Sequence, residues 1–195
     1  MGPFLNRVLD WAGDRYYGIS TRGYLSREEL GSAPDCGSYS PTPHRVLRLL
    51  LRHVPSHLAR NGILLDYGSG LGRALVVASR SYQFRRVIGV ECSESLCRKA
   101  MANLKAAHVR NALVVCANAQ EFEIPPGVTV FFMFNPFLGE VLRIVCERIA
   151  AHRRPFAIAV CNYDNFEAAI APYTRLERTS NGVFENVSWA VYVAD

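Results

Sequence analysis

Five short apolar runs alternate with longer segments of helical periodicity between residues 63 and 161. The runs lie at about 63–67, 86–91, 112–116, 128–134 and 156–161. Because apolar residues fill them almost without a break, we interpret them as parallel strands that are covered on both faces. Helices are predicted in the gaps, at 71–81, 93–107 and 138–152. The alternation predicts an α/β fold with a doubly wound, mostly parallel sheet.

The tail of the chain has a different pattern. Residues 173–179 and 186–194 alternate between apolar and polar side chains, which is typical of strands with one covered face. The loop between them contains Asn181-Gly182 and is too short to hold a helix. A tight connection of this kind joins antiparallel strands. We therefore predict that the parallel sheet ends in an antiparallel C-terminal hairpin.

The character of the sequence changes near residue 43. Residues 1–42 are rich in Gly, Tyr, Ser and Pro and show weak periodicity, so we treat them as a segment separate from a domain over 43–195. That domain opens with a helix over 43–54, because apolar side chains recur at helical spacing along one face. Thr42 is predicted to cap this helix and Pro55 to end it. The apolar face consists of Leu47, Leu50, Leu51 and Val54, and Arg45, Arg48 and Arg52 lie on the opposite, solvated face.

Composition excludes several classes of protein. The 195 residues, half of them apolar, fit one domain with a proper core. No apolar run is long enough to span a bilayer, and charged residues interrupt the N-terminus, so a cytoplasmic location is expected. The net charge of +5 comes from arginines scattered along the whole chain, which argues against a nucleic-acid-binding stripe. The six cysteines lack the spacing of a zinc site or a disulfide framework and are expected to be reduced and mostly buried.

A glycine-rich turn connects the first predicted strand to the next helix. Gly68, Gly70 and Gly72 have the spacing G-x-G-x-G, with Ser69 between the first two and Asp66 two residues before them. Glycines let a ligand approach the backbone closely, and the N-terminus of the helix offers free N–H groups. The alternative is a strand-to-helix connection that merely needs small residues. The turn alone does not decide between the two.

Polar residues at the ends of the neighbouring strands favour a ligand site. Glu91 ends the second strand, where a carboxylate can accept hydrogen bonds from both hydroxyls of a ribose. Asn118 follows the third strand, and Asn135 follows the aromatic fourth strand. Because the carboxyl ends of parallel strands meet at one edge of a sheet, we expect these side chains around a single crevice.

These residues resemble the class I S-adenosylmethionine-dependent methyltransferases, and the resemblance extends over about residues 43–195. It implies a Rossmann-like sheet of seven strands in the order 3-2-1-4-5-7-6, with S-adenosylmethionine as methyl donor and S-adenosylhomocysteine as product. In that family the glycine turn lies against the methionine part of the donor, and residues matching Glu91 and Asn118-Ala119 bind the ribose and the adenine. Asn118 stands where aspartate is more usual, which keeps an acceptor but removes a charge. The donor-site residues that the resemblance implies are Tyr39, Thr42, Asp66, Gly68, Ser69, Gly70, Gly72, Glu91, Cys92, Asn118, Ala119, Phe134 and Asn135.

Asn135-Pro136-Phe137 is similar to a shortened form of the family's Asn/Asp-Pro-Pro-Phe/Tyr motif, which holds the nucleophilic nitrogen in members that methylate amines. The resemblance implies a catalytic role for these three residues. The alternative is a plain turn that ends the strand, because only one proline follows Asn135. Of the possible acceptors, we favour nitrogen over oxygen or carbon.

The segment Tyr39-Ser40-Pro41-Thr42-Pro43 is similar to the approach to the first strand in non-SET lysine and arginine methyltransferases. There, an aromatic and a hydroxyl residue close over the methionine end of the donor, which implies that role for Tyr39 and Thr42. A plain turn and helix cap remain the alternative. Residues 1–42 would then form a lid or substrate segment. Its candidate acceptor contacts, with simple packing as the alternative for each, are Tyr16, Tyr17, Thr21, Arg22 and Tyr24.

Methyl transfer from a sulfonium is a direct displacement, so the protein mainly aligns the nucleophile and excludes water. A neutral amine needs an acceptor for its N–H, which the side chain of Asn135 or the carbonyl of Phe134 would supply. A phenol or alcohol would need a base. Asp164, after the fifth strand, is better placed for that task than any histidine.

Two other functions stay open at the level of the sequence. A nicotinamide-dependent oxidoreductase would also use the acid of the second strand, but its fingerprint is G-x-G-x-x-G and its sheet lacks a hairpin tail. A non-catalytic protein of the same fold would bind the donor and act as a scaffold. For a methyltransferase, a small-molecule acceptor suits the short chain best, the basic charge leaves protein or nucleic acid open, and no membrane partner is expected.

Overall fold

The computed structural model describes residues 3–30, 37–153, 155–173 and 176–195. Its helices are α1 (Pro3–Tyr17), α2 (Arg27–Leu30), α3 (His44–Arg52), α4 (Ser56–Ala59), α5 (Arg73–Ser81), α6 (Glu94–Ala106), α7 (Gly139–Ala150) and α8 (Asp164–Ile170). Its strands are β1 (Ile63–Tyr67), β2 (Arg86–Glu91), β3 (Ala112–Cys116), β4 (Val128–Phe134), β5 (Phe156–Cys161), β6 (Glu177–Phe184) and β7 (Val187–Ala194). The five predicted parallel strands are confirmed with their predicted bounds.

The strands form one seven-stranded sheet in the order β3-β2-β1-β4-β5-β7-β6. Strands β1 to β5 run parallel, and β7 pairs antiparallel with both β5 and β6. The predicted fold, strand order and antiparallel hairpin are therefore confirmed. Because β2 lies on one side of β1 and β4 on the other, the strand order reverses at β1. Doubly wound sheets bind ligands at the carboxyl ends of the strands beside such a reversal.

Hydrophobic side chains pack on both faces of the sheet, as the unbroken apolar strands predicted. On one face, Leu64 belongs to the same buried cluster as Leu47 of α3 and Leu75 of α5. On the other face, Leu65 belongs to a cluster with Val145 of α7. Consecutive residues of a strand point to opposite faces, so each central strand contributes to both layers. This two-sided core holds the strand ends in a fixed register, which is what a site at the sheet edge requires.

The turn of the hairpin is not where the sequence placed it. β6 continues through Asn181 and Gly182, and the two turn residues are Glu185 and Asn186, with φ of 54° and 63°. Gly182 pairs with Trp189, whose ring would lie 3.1 Å from a Cβ at that position. Glycine therefore makes room for the indole inside the strand, and the prediction that Asn181-Gly182 forms the loop is wrong.

The first residues of one helix and one strand differ from the prediction. Helix α3 begins at His44 without a side-chain cap, because Pro43 occupies the N-cap position. Thr42 is therefore not the cap that the sequence predicted. Strand β6 begins at Glu177 rather than at residue 173, and residues 174 and 175 of the predicted strand lie outside the described residues.

Arg48 and Arg52, on the outer face of α3, are exposed as predicted, whereas Arg45 is half-buried. Arg45 pairs with Glu185 at 2.9 Å, and its guanidinium carbon lies 4.9 Å from the centroid of the Phe184 ring. Arg48 donates a hydrogen bond of 3.1 Å to the hydroxyl of Tyr17. These contacts connect α3 to the hairpin and to α1.

The structure can also be compared with the predictions about membrane spans and about the burial of the cysteines. Among the described helices, none combines the length and the apolar character that a membrane span requires. Cys97, Cys146 and Cys161 are buried, whereas Cys92 and Cys116 are exposed. The sixth cysteine, at position 36, lies outside the described residues.

Candidate active site

A cavity lies at the carboxyl edge of the sheet, between the ends of β1 to β4 and the segment 37–42. Most residues of the predicted site line it, although they come from distant parts of the sequence. Gly72 and Asn135 are the two that stand outside the lining. The predicted residues that line the cavity are Tyr39, Thr42, Asp66, Gly68, Ser69, Gly70, Glu91, Cys92, Asn118, Ala119, Phe134, Pro136 and Phe137.

The glycine turn is compressed between two side chains. Gly68 and Gly70 have φ of 73° and 53°, a region that glycine adopts without a steric penalty. A Cβ on Gly68 would lie 2.5 Å from Pro136, and one on Gly70 would lie 2.5 Å from the ring of Tyr39. The glycines therefore serve both the backbone conformation and the close approach of these two rings. Packing and backbone conformation therefore both require glycine at positions 68 and 70.

Glu91 is held in place by the backbone around it. Its Oε2 accepts a hydrogen bond from Gly70 N–H at 2.9 Å, and its Oε1 accepts one from Ser93 N–H at 3.0 Å. The residue is only 7% exposed and lines the cavity. Because each carboxylate oxygen can accept more than one hydrogen bond, this arrangement still leaves acceptor capacity for a ligand.

Asp66 places a second carboxyl group in the same cavity. It is 2% exposed. Burial, and after it the negative charge of Glu91, raises the pKa of Asp66 well above its ordinary value of 3.8. Two acidic groups that disfavour each other's ionisation are relieved by a positively charged ligand. The part of the cavity beside Asp66 and Glu91 therefore favours a cation, whereas Arg73, which also lines the cavity, is paired with Asp10 and Asp14.

The end of β3 contributes Asn118 and Ala119. Asn118 is exposed, and its Oδ1 accepts a hydrogen bond of 3.0 Å from Gln120 N–H, whereas Ala119 is buried. The side-chain oxygen predicted to meet adenine therefore already stabilises a local turn. That turn orders the backbone that follows β3 along the cavity wall.

Asn135 lies at the rim of the cavity, between the lining residues Phe134 and Pro136. It directly follows β4, is half-buried, and has a left-handed backbone with φ of 43°. The carbonyl of Pro136 accepts a hydrogen bond of 2.8 Å from Gly37 N–H. The Asn135-Pro136 turn is thus in contact with both the glycine turn and the N-terminal segment.

An aromatic wall beside this turn was not predicted in full. Phe132 lines the cavity together with Phe134 and Phe137. The spacing of Phe132 and Phe134 was the available signal, because residues two apart in a strand share a face. The wall makes the side of the cavity next to Asn135 apolar.

The N-terminal segment reaches the cavity through residues 37–42 rather than through the predicted acceptor contacts. Tyr39 pairs with Leu25 in an isolated β-bridge, and its hydroxyl donates to the carbonyl of Thr21. Of the five predicted contacts, none lines the cavity: Tyr16, Arg22 and Tyr24 are exposed, Tyr17 stacks on His44, and Thr21 is buried against Asp14. Packing therefore accounts for Tyr17 and Thr21, whereas the other three side chains lie at the surface.

No described lining residue of the cavity is a histidine, and the acids that line it are Asp66 and Glu91. His44 pairs with α1 instead, with its Nε2 2.8 Å from Oδ1 of Asp14. Asp164, the predicted base, is an exposed residue at the start of α8 and does not line the cavity. Within the described ranges, no group of His, Cys, Asp or Glu has the arrangement of a metal site.

The chain matches known methyltransferases in sequence. Residues 64–156 match a family described as a methyltransferase domain. The chain is also 30% identical over 113 residues to a protein-lysine N-methyltransferase from Saccharolobus islandicus, and the match covers 56% of this chain and 68% of that relative.

Solved structures show the same fold. An RNA methyltransferase from Salinibacter ruber in complex with S-adenosylhomocysteine has a TM-score of 0.65 and 21% identity, covering 79% of this chain and 93% of its own. A magnesium protoporphyrin IX methyltransferase from Synechocystis with bound S-adenosylmethionine has a TM-score of 0.59 and 10% identity, covering 77% and 78%. At such identities the solved structures show the fold alone. The sequence matches show the family. Membership of this family excludes the nicotinamide-dependent oxidoreductase that the sequence had left open. The chain belongs to the class I, Rossmann-like S-adenosylmethionine-dependent methyltransferases and is a methyl-transferring enzyme.

Proposed function

We propose that the enzyme methylates nitrogen, and that its acceptor is the amine of a lysine side chain in a protein. The observation that carries the proposal is the position of Asn135, a left-handed residue at the end of β4 between two residues that line the cavity. The 30% identity to a protein-lysine N-methyltransferase supports lysine as the acceptor. This replaces the sequence-based preference for a small molecule as the first hypothesis.

The residues of the cavity fit the donor that the family uses. Glu91 has acceptor capacity for ribose hydroxyls, and the raised pKa of Asp66, caused by burial and by Glu91, favours pairing with the donor's ammonium group. Within the described residues, the buried Oγ of Ser69 in the glycine turn has no hydrogen-bond partner. We propose that Gly68, Ser69 and Gly70 hold the methionine part. Residues proposed for the adenine end are Cys92, Asn118 and Ala119.

We propose residues 1–42 as a lid and residues 43–195 as the donor-binding domain. The hydrogen bond from Gly37 N–H to the Pro136 carbonyl and the approach of Tyr39 to Gly70 support the lid. Tyr39 and Thr42 would then cover the methionine end. Residues 1–2 and 31–36 of the lid lie outside the described residues.

Bound S-adenosylmethionine supplies a methyl group on a positively charged sulfur. The protein's part is to orient the amine and to keep it neutral. The Asn135 side-chain oxygen or the Phe134 carbonyl would accept the amine N–H, and Pro136 and Phe137 would position that turn. The aromatic wall lowers the pKa of an amine that is buried against it and excludes water. An amine so held does not need a base in the cavity, which agrees with the placement of Asp164 outside it.

A small-molecule amine is the second candidate. It is favoured by the closure of residues 37–42 over the cavity, because the hydrogen bond between Gly37 and Pro136 narrows the access that a folded protein needs. Both candidates share the nitrogen acceptor and the same roles for Asn135 and Phe134.

Labelled methyl transfer tests the acceptor. Purified enzyme is incubated with methyl-labelled S-adenosylmethionine and with the protein and small-molecule fractions of a cell extract, followed by mass spectrometry. Label on lysine in the protein fraction is expected. Label on small amines alone would replace lysine by the second candidate, and label on oxygen or carbon would contradict both. The Asn135→Ala variant is the control. If the label comes from this enzyme, the amount of labelled product should fall with this variant in proportion to its slower turnover.

A further inference from the structure

We infer that a buried polar network centred on Arg73 positions the two lid residues Tyr39 and Thr42, so that helix α1 sets the affinity for the methyl donor. The inference rests on the donor site proposed above and is independent of the acceptor. Asp14 and Thr21 are positioning residues, because neither of them lines the cavity. Arg73 does line the cavity, and its hydrogen bonds connect it to Thr21 and Thr42.

Arg73 occupies an unusual place for a cation. It is the first residue of α5, directly after the glycine turn, and it is 3% exposed. The N-terminus of a helix repels positive charge, so neither the helix nor the solvent accounts for this guanidinium. Its partners do: Nη1 donates to Asp10 Oδ2 and to the Thr42 carbonyl, both at 3.0 Å, and Nε donates to Thr21 Oγ1 at 2.7 Å.

Asp14 completes the network from α1. It accepts hydrogen bonds from Thr21 N–H at 2.8 Å and Thr21 Oγ1 at 2.7 Å, and His44 Nε2 lies 2.8 Å away. Its Oδ1 is 3.2 Å from Arg73 Nη2. Burial acts to raise the pKa of Asp14, but the bonds to His44 and Thr21 and the charge of Arg73 outweigh it and lower the pKa. Asp14 is therefore ionised at neutral pH, as a partner of Arg73 should be.

The network ends on both lid residues. The Thr21 carbonyl accepts the hydroxyl of Tyr39, whose ring lies against Gly70, and the Thr42 carbonyl accepts Arg73. One end therefore fixes an aromatic ring over the glycine turn, and the other fixes the backbone that leads into α3. Because a buried cation that loses a partner must move or take up water, a break in the network displaces these lid residues.

Thr21 connects the two lid bonds, because its carbonyl accepts from Tyr39 and its hydroxyl accepts from Arg73, which in turn donates to the Thr42 carbonyl. Thr21 is fully buried, its hydroxyl bridges Asp14 and Arg73, and its carbonyl holds Tyr39. Thr21 is distant in sequence from the glycine turn and is not among the residues that line the cavity. A change confined to that hydroxyl therefore separates an effect on lid position from a direct effect on the donor.

A matched pair of variants tests the inference. Thr21→Ala removes the bridging hydroxyl, and Thr21→Ser keeps it. Calorimetry with S-adenosylhomocysteine should show about tenfold weaker binding for Thr21→Ala, the loss of roughly one hydrogen bond to a charged group, and a change within about twofold for Thr21→Ser. The KM for S-adenosylmethionine should rise for Thr21→Ala while kcat at saturating donor is kept, a split that general loss of structure would not produce.

Tyr39→Phe keeps the ring and removes the bond to Thr21, so it tests the same claim if Thr21→Ala does not fold. It should weaken S-adenosylhomocysteine binding by about fivefold, whereas Tyr24→Phe, an exposed tyrosine of the same segment, should not change it. Folded Thr21→Ala or Tyr39→Phe protein that binds like wild type would overturn the inference alone. Wild-type enzyme that does not bind S-adenosylhomocysteine would overturn the donor site and the inference together.

Discussion

Oε2 of Glu91 accepts a 2.9 Å hydrogen bond from the backbone N–H of Gly70, across the carboxyl edge of the sheet. The bond joins the end of β2 to the middle of the glycine turn, two elements that the donor's ribose and methionine parts would contact at the same time. The hydrogen bond fixes these two elements relative to each other. A prearranged site avoids the cost of ordering its residues on binding.

Replacing Glu91 should weaken donor binding. Glu91→Ala removes the proposed ribose acceptor and the bond to Gly70, so we expect a loss of about 1 to 3 kcal/mol, the range for hydrogen bonds to a charged group. Calorimetric titration with S-adenosylhomocysteine measures it. Glu94→Ala, an exposed acid at the start of α6, is the control and should bind normally. Unchanged affinity in Glu91→Ala would remove this residue from the donor site.

Asn135→Ala should slow turnover with little change in donor affinity, because the proposed role of Asn135 is to orient the acceptor. Asn162→Ala is a matched control. It follows the neighbouring strand β5 with a similar left-handed backbone, φ of 51° against 43°, but lies outside the cavity lining. Steady-state kinetics and calorimetry on both variants separate the roles. A loss of donor binding in Asn135→Ala, with turnover kept, would make Asn135 a donor-site residue.

Asp66→Asn should make the unliganded enzyme more stable and the enzyme inactive. Because burial and the charge of Glu91 raise the folded-state pKa of Asp66 above 3.8, the native state binds this proton more tightly than the unfolded chain, so stability falls as pH rises between the two pKa values. An asparagine side chain does not ionise, so the variant does not lose this stability as the pH rises. Thermal unfolding should show a higher melting temperature for the variant at neutral pH, by a few degrees for each 1 kcal/mol or so.

The difference should shrink as the pH falls towards 3.8 and vanish below it, where Asp66 is protonated in both the folded and the unfolded state. Donor affinity should fall at the same time, since a neutral amide does not pair with an ammonium group. An Asp66→Asn enzyme that is less stable than wild type at neutral pH would contradict this view of Asp66.

Gly70→Ala should abolish donor binding and destabilise the fold. Its Cβ would lie 2.5 Å from the ring of Tyr39, at a φ of 53°. Gly127→Ala separates the clash from backbone strain, since Gly127 also has positive φ, 89°, but its Cβ would find no atom closer than 3.8 Å. Gly127→Ala should therefore lose only about 1 kcal/mol of stability and keep donor binding. Equal effects of the two substitutions, by thermal unfolding and calorimetry, would show that Tyr39 does not press on the turn.

The parts of the fold that the sequence predicted are those set by local pattern. The five strands between Ile63 and Cys161 are nearly continuous apolar runs, and the positions of the glycine turn and of Glu91 follow from where those runs end. The predicted position of the hairpin turn was wrong because Gly182 makes room for Trp189 on the paired strand. The residues next to Gly182 in the sequence give no sign of this contact. Tertiary packing decided that position.

The contacts of the proposed lid were even less predictable from the sequence. Arg73 and Asp10 are 63 residues apart. Nothing in the spacing of either residue indicates a buried ion pair, and by composition Arg73 looks like one more scattered arginine. The lid residue Tyr39 was predicted through a resemblance to known enzymes, whereas its bond to Thr21 required the three-dimensional arrangement. Polar contacts between residues far apart in the chain produce no periodic pattern in the sequence from which they could be predicted.

A crystal structure of the enzyme with S-adenosylhomocysteine is the most direct measurement of the central claim. We predict the ribose hydroxyls within hydrogen-bond distance of Glu91, the methionine part along Gly68 to Gly70, and the sulfur facing the turn at Asn135. A crevice that stays empty at saturating ligand, or a ligand bound away from the Glu91 carboxylate, would contradict the account.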